Sequence, residues 1–312
     1  MRPATARFPA GCAPRGRGFT LIEMIVTIAI TGIVAAMLLL FFMKPFQEYI
    51  DMGRRATLVD AAESALRRMA RDLRLALPNS VRVTNSAGGG FALEFLPIVD
   101  GGKYMTLGMT SVKLNLHGDF DADFNNLGCF QHISPGAYST YHIVVNSLGT
   151  TGFDAYAAPT INKQGNTTGV ITPVGLTITI TNNPGASCQT AGVGVGDQHV
   201  HLSAMHAFLD SSPMSRFYVV EKPVSYLCDK ASGTLTRYAN YPVQASQPVT
   251  AAALNALPGV TSALVADSID ACGITSSSTD VRNRSLATLD LALSKEGETI
   301  RLIHQVQLDN SR

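Results

Sequence analysis

From Phe19 to Met43 the chain reads FTLIEMIVTIAITGIVAAMLLLFFM, 25 residues in which Glu23 is the only ionisable group, and Lys44 follows directly. A run of that length and apolarity predicts a helix able to cross a hydrocarbon core. Beyond Pro45 the pattern changes. Val59, Ala62, Leu66, Met69, Leu73 and Ala76 recur at spacings of three and four, which predicts an amphipathic helix with one apolar stripe turned to a core. The opposite side is charged, with Glu63 and Arg67, and Arg68 and Asp72, at i,i+4. Pro78 predicts the stop, because it donates no hydrogen bond and restricts Leu77. A single helix from Phe19 to Leu77 would run about 90 Å at 1.5 Å per residue. Its first half is therefore expected to protrude, and Pro45 to bend or loosen it.

Past Pro78 the period shortens to β-type runs between Gly, Asn, Ser and Pro: SVRVTN, then Gly88 to Gly90, then FALEFLPIV. Phe217 to Val220, Val224 to Leu227 and Thr234 to Tyr238 read as strands, with a turn at Asp229 to Gly233. At the C-terminus ATLDLALS and TIRLIHQVQLD alternate apolar and polar residues about the turn Lys295-Glu296-Gly297-Glu298. Alternation implies an antiparallel sheet with one buried face, the natural cover for the helix stripe. The expected fold is α+β: a long N-terminal helix whose amphipathic half packs on an antiparallel sheet within a loop-rich β domain. The middle, about Gly101 to Asp210, is rich in Gly, Thr and Asn and resembles no known family, and loops there could carry whatever is particular to this chain.

Charge adds a direction to the apolar helix. Arg2, Arg7, Arg15 and Arg17 stand in the first 18 residues without an acidic residue among them. That bias places the stretch on the cytoplasmic side and the rest of the chain outside. The whole chain carries 24 basic and 23 acidic residues; without the first 18 it carries 20 against 23, a balance of −3 that has no global attraction for nucleic acid. An ordinary secretory signal has its small-residue cut after a shorter apolar region. Here the small residue precedes the apolar run, so a cut there removes only the basic part and leaves the anchor. Cys12 falls in that part. Cys129, Cys188, Cys228 and Cys272 remain, an even set without CxxC spacing, which reads as two disulfides in an oxidising compartment. Three pairings are open; the nearer-neighbour set joins Cys129 to Cys188 and Cys228 to Cys272.

The string RGRGFTLIEMIVTIAITGI resembles the class III signal of type IV prepilins and type II secretion pseudopilins. The resemblance implies a cut after Gly18 by a prepilin peptidase, methylation of the new N-terminal Phe19, and an assembly role for Glu23, whose carboxylate would meet the N-terminal amine of a neighbouring subunit. A charge within an apolar span is costly enough to need such a partner. Small residues at Ala29, Gly32, Ala35 and Ala36 allow close helix approach. The stretch SALRRMARDLRLALPNSVR resembles the helix of minor pilins of the PilW and GspJ type. Phe217 to Tyr238 and the closing strand resemble the MshO-type minor pilins of mannose-sensitive haemagglutinin (MSHA) pilus biogenesis.

These resemblances imply four segments: a leader at 1–18, a transmembrane and fibre-packing helix half at 19–45, an amphipathic half at 46–78 and an exported β-rich domain at 79–312. They imply a single-pass protein of a bacterial inner membrane with a periplasmic C-terminal domain, later carried to the pilus at the cell surface. The implied partners are the prepilin peptidase, major and minor pilins and the inner-membrane assembly platform.

Chemistry beyond processing has few candidates. Asp119, Asp121, Asp123 and Asn125 alternate as calcium ligands do, and some pseudopilins bind calcium, but Phe124 stands where an EF-hand needs Gly and Phe130 where it needs Glu. A solvated acidic turn is the expectation. His199, His201 and His206 have no carboxylate or cysteine at a supporting spacing in sequence. The glycines Gly192, Gly194 and Gly196 lack the strand and helix of a dinucleotide site. No nucleophile elbow, Walker loop or HExxH occurs, so neither an enzyme nor a cofactor is expected.

Overall fold

In a computed structural model, residues 18–86, 88–106, 113–116, 119–188, 194–278 and 284–309 are described. The leader arginines, Cys12 and Gly192 lie outside them. The chain forms two compact units, residues 1–53 and 54–312.

The first helix, α1, runs from Leu21 to Arg74, and the helical conformation passes through Pro45 without interruption. Both ends fall inside the expected span of Phe19 to Leu77, and both for local reasons. At the start, Thr20 accepts the Glu23 backbone N–H on its hydroxyl at 3.3 Å and the Met24 N–H on its carbonyl at 3.2 Å, so it caps the helix and leaves Phe19 outside. At the end, Leu75 and Ala76 donate to Asp72 and Leu73, three residues back. Leu77 then donates to Leu96 and Ile98 to Leu75, which turns the chain into the β domain before Pro78 is reached.

In the second unit the strands, among the described residues, are β1 (Arg82–Asn85), β2 (Phe91–Phe95), β3 (Ile98–Lys103), β4 (Asp121–Asn126), β5 (Gly136–Tyr138), β6 (His142–Val144), β7 (Thr160–Ile161), β8 (Thr167–Gly169) and β9 (Ile178–Asn182). There follow β10 (Gln198–Phe208), β11 (Arg216–Val220), β12 (Val224–Asp229), β13 (Thr234–Ala239), a short helix α2 (Ala251–Asn255), β14 (Thr261–Ala266), β15 (Ile269–Ser278), β16 (Arg284–Lys295) and β17 (Glu298–Asp309). They form a five-stranded sheet in the order β1-β2-β12-β13-β14, a three-stranded sheet β15-β16-β17, a three-stranded sheet β3-β11-β6, and a sheet ordered β5-β9-β10-β8-β7 with β4 beside β10. All pairings but β8 with β10 are antiparallel.

The helix stripe packs as its periodicity predicts. Ala62, Leu66, Met69 and Leu73 are buried against Phe95, Tyr226, Leu235 and Leu291, with Val59 and Ala76 at the margin and Leu58, Ala65 and Ala70 widening the contact. The ion pairs divide. Glu63 pairs with Arg67 along the helix, whereas Asp72 serves the sheet instead of Arg68: it accepts from Arg237 Nε at 2.9 Å and from the Tyr226 hydroxyl at 2.7 Å. A second polar tie lies inside the five-stranded sheet, where the buried Glu94 accepts from Arg82 Nε at 2.7 Å and the Tyr241 hydroxyl at 2.9 Å. Burial pushes the Glu94 carboxyl up, and the Arg82 guanidinium opposes it.

The C-terminal hairpin closes on Lys295 opposite Glu298, with Glu296 and Gly297 both at positive φ as a two-residue turn of this hand requires. The middle of the chain builds the sheet around β10, over a core that includes Phe124, Phe130, Phe208 and Phe217. The structure pairs Cys129 with Cys188 and Cys228 with Cys272.

Candidate functional site

The segment Gly18 to Glu23 combines an open backbone with the start of an apolar helix. Gly18, Phe19 and Thr20 are non-helical and exposed, with Phe19 75% accessible. A Cβ placed on Gly18 would meet nothing within 4 Å, and its φ is not positive, so no contact within the described residues demands glycine there.

From Leu21 to Leu39 the helix is long and apolar enough to cross a membrane, and none of this stretch is buried within the chain. Its polar side chains are mostly satisfied internally. The Thr27 hydroxyl donates to Met24 O at 3.0 Å, and that of Thr31 to Thr27 O at 2.7 Å, which returns each donor to the helix backbone as an apolar environment requires. Glu23 differs. Its carboxylate is exposed, and it stands three residues after the cap Thr20, the spacing of a capping box, where negative charge also complements the helix dipole. That local role was readable in the string Thr20-Leu21-Ile22-Glu23 and adds to the assembly role the resemblance implies.

The alternating Asp and His segments meet in space. On the paired strands β4 and β10, Asp123 lies opposite His201 and Asn125 opposite His199. Asp123 Oδ1 is 3.0 Å from His199 Nε2 and 2.7 Å from His201 Nδ1, and Asn125 Oδ1 is 3.1 Å from His199 Nδ1. Burial pushes the Asp123 carboxyl up, but the bonds from His201 and His199 outweigh it and hold the group below its ordinary value. A carboxylate therefore does support these histidines, across the strand pair instead of along the sequence.

The set does not converge on a cation. Asp121 spends its carboxylate on the backbone N–H groups of Asn115, Ala122 and Asp123, and Asp119 is exposed apart from it. No group of three or more His, Cys, Asp or Glu side chains suited to a metal ion occurs among the described residues. His206 is separate: fully buried, with Nδ1 2.7 Å from the Thr167 hydroxyl and Nε2 3.2 Å from Gly169 O. A hydroxyl beside an imidazole has the composition of a nucleophile and its base, yet this pair is sealed from substrate and its second nitrogen meets a backbone carbonyl, so it holds the sheet together. Gly194 and Gly196, both at positive φ, lie in the turn before β10.

Residues 14–39 match the family model described as the prokaryotic N-terminal methylation motif. No curated protein and no solved structure gives a match to the chain. The motif on an apolar N-terminal helix supports a subunit of the type IV pilin or pseudopilin class, in which such a signal implies processing by prepilin peptidase, membrane anchoring by that helix and assembly with other pilins.

Proposed function

We propose that this chain is a minor type IV pilin of the MSHA-biogenesis kind, cut after Gly18, methylated on Phe19, and built into an assembly complex at or near the fibre tip through Glu23. The observation that carries the proposal is a coincidence of position. The methylation motif at 14–39 contains Gly18 to Thr20, which are exposed and non-helical, immediately ahead of an apolar helix with a single carboxylate in its first turn. The size of the second unit, residues 54–312, favours a minor over a major subunit, because a bulky domain is harder to repeat along a closely packed shaft.

Mass spectrometry of the purified chain should find an N-terminal peptide that begins at methylated Phe19; retention of residues 1–18 defeats the proposal at its first step. A strain that lacks the subunit should lose most of its surface pili. Normal piliation with lost export of secreted enzymes would assign the chain to a type II secretion pseudopilus instead. Normal piliation with lost attachment would make it a tip adhesin.

A further inference from the structure

The strand β17 is an edge of its sheet: it pairs with β16 and, among the described residues, with nothing else. Since Lys295 and Glu298 close a two-residue hairpin, that pair exchanges both hydrogen bonds, and the alternation that follows turns the backbone of Thr299, Arg301, Ile303, Gln305 and Gln307 outward. Natural edges of this length are blunted by lysine, proline, bulges or brevity. This one is 12 residues long, contains no Lys or Pro, keeps an unshifted register along its length, and carries Ile303 at 63% exposure. Its one cation, Arg301, is occupied by Asp290 of β16.

Beside this edge lies a basic groove. A cavity of about 450 Å³ is lined by Ser64, Arg67, Ala70, Arg71 and Arg74 of α1 and by His304 of β17. Arg67 is paired with Glu63, but Arg71 and Arg74 are exposed and have no ion pair among the described residues. The helix dipole favours cations in the last turn, which explains their sign. It does not explain why they line a hollow next to an open strand.

We propose that the β17 edge and the adjoining Arg71 and Arg74 together form a docking site for an extended acidic segment of another protein, which adds as a strand to β17 and turns its carboxylates toward α1. Main-chain pairing supplies the binding and the two guanidinium groups select for acid, the usual division of labour in strand addition. The site lies wholly within residues 54–312 and does not depend on the fibre assignment.

The full chain in detergent tests this with three labelled ten-residue peptides in which Val alternates with Glu, Gln or Lys. The Glu peptide should bind about tenfold more tightly than the Gln peptide, weaken with added salt, and slow deuterium exchange at Thr299, Arg301, Ile303 and Gln305. Arg71→Glu with Arg74→Glu, at exposed positions that leave the core intact, should switch the preference to the Lys peptide. Ile303→Pro removes one outward N–H and should abolish the exchange protection in the wild-type charge background. Equal affinity for the three peptides overturns the proposal, as does Glu-peptide binding without protection of β17. Phosphatidylglycerol vesicles that bind through Arg71 and Arg74 while no peptide does, or self-association through β17, would overturn it in favour of a lipid or a second copy.

Discussion

A histidine sealed inside a sheet makes the fold sensitive to acid. His206 must keep a hydrogen on Nε2 to donate to the Gly169 carbonyl, so Nδ1 of the neutral ring accepts the Thr167 hydroxyl. Burial lowers its pKa from 6.5 to about 4, and burial also holds His142 below its ordinary value. In the unfolded chain an imidazole takes up its proton near pH 6.5, whereas the folded protein refuses it until about pH 4. The contribution to stability is therefore complete above pH 6.5 and is lost as pH falls through that window, by about 3 kcal/mol in all for His206. Urea titrations of the full chain in detergent should show a midpoint that drops between pH 7 and pH 4.5. His206→Gln, which retains one donor and one acceptor for the same two partners, should flatten that slope; an unchanged slope would mean that other groups carry the acid response.

At the scale of elements, one disulfide links strands of two different sheets and the other links segments that follow two strands of a single sheet. Cys228 sits on β12 in the five-stranded sheet and Cys272 on β15 in another, 44 residues on; Cys129 and Cys188 join the segments after β4 and after β9 across 59 residues. Loop closure varies only with the logarithm of length, so each bridge restricts the unfolded chain by a similar amount, about 4 kcal/mol. Replacing Cys228 and Cys272 by Ala should cost more than replacing Cys129 and Cys188, since Cys228 is also packed in the helix-facing core. Thermal unfolding of the two double variants decides this, and equal losses would show that the core packing of Cys228 adds nothing. Elements with a full period are legible in the amino-acid sequence alone: the stripe on α1, and β16 with β17 about their glutamate-glycine turn. The middle sheet is not. Several of its strands are only two or three residues long, too short to show a period of two, and β10 pairs with β4, β8 and β9 from distant stretches. For the same reason Asp123 could not be assigned to His199 and His201, which lie 76 and 78 residues away.

Among its described residues the molecule carries one segment that water does not suit. Leu21, Ile28, Met37 and Leu39 are each at least 65% exposed within the chain, and surface of that kind finds its stable place in lipid or against like helices. Glu23 is the exception inside that segment, and two roles compete to explain it: a side chain at the capping-box position of the first turn, or a charge that meets an amine on a neighbour. Chemistry separates them. Glu23→Gln keeps the capping-box geometry, because Gln serves at that position, and removes only the charge. Glu23→Val removes both. A carboxylate in an apolar environment costs several kcal/mol when unpaired, so a fibre that depends on its pairing should lose subunit recovery by about tenfold or more when the charge goes. Both variants should still be cut after Gly18, which mass spectrometry of the N-terminus reads directly. If charge is the operative property, recovery from sheared fibres falls equally in the two. Wild-type recovery of Glu23→Gln with poor recovery of Glu23→Val would make the first turn of the helix, and not an intersubunit ion pair, the reason for a glutamate at this position.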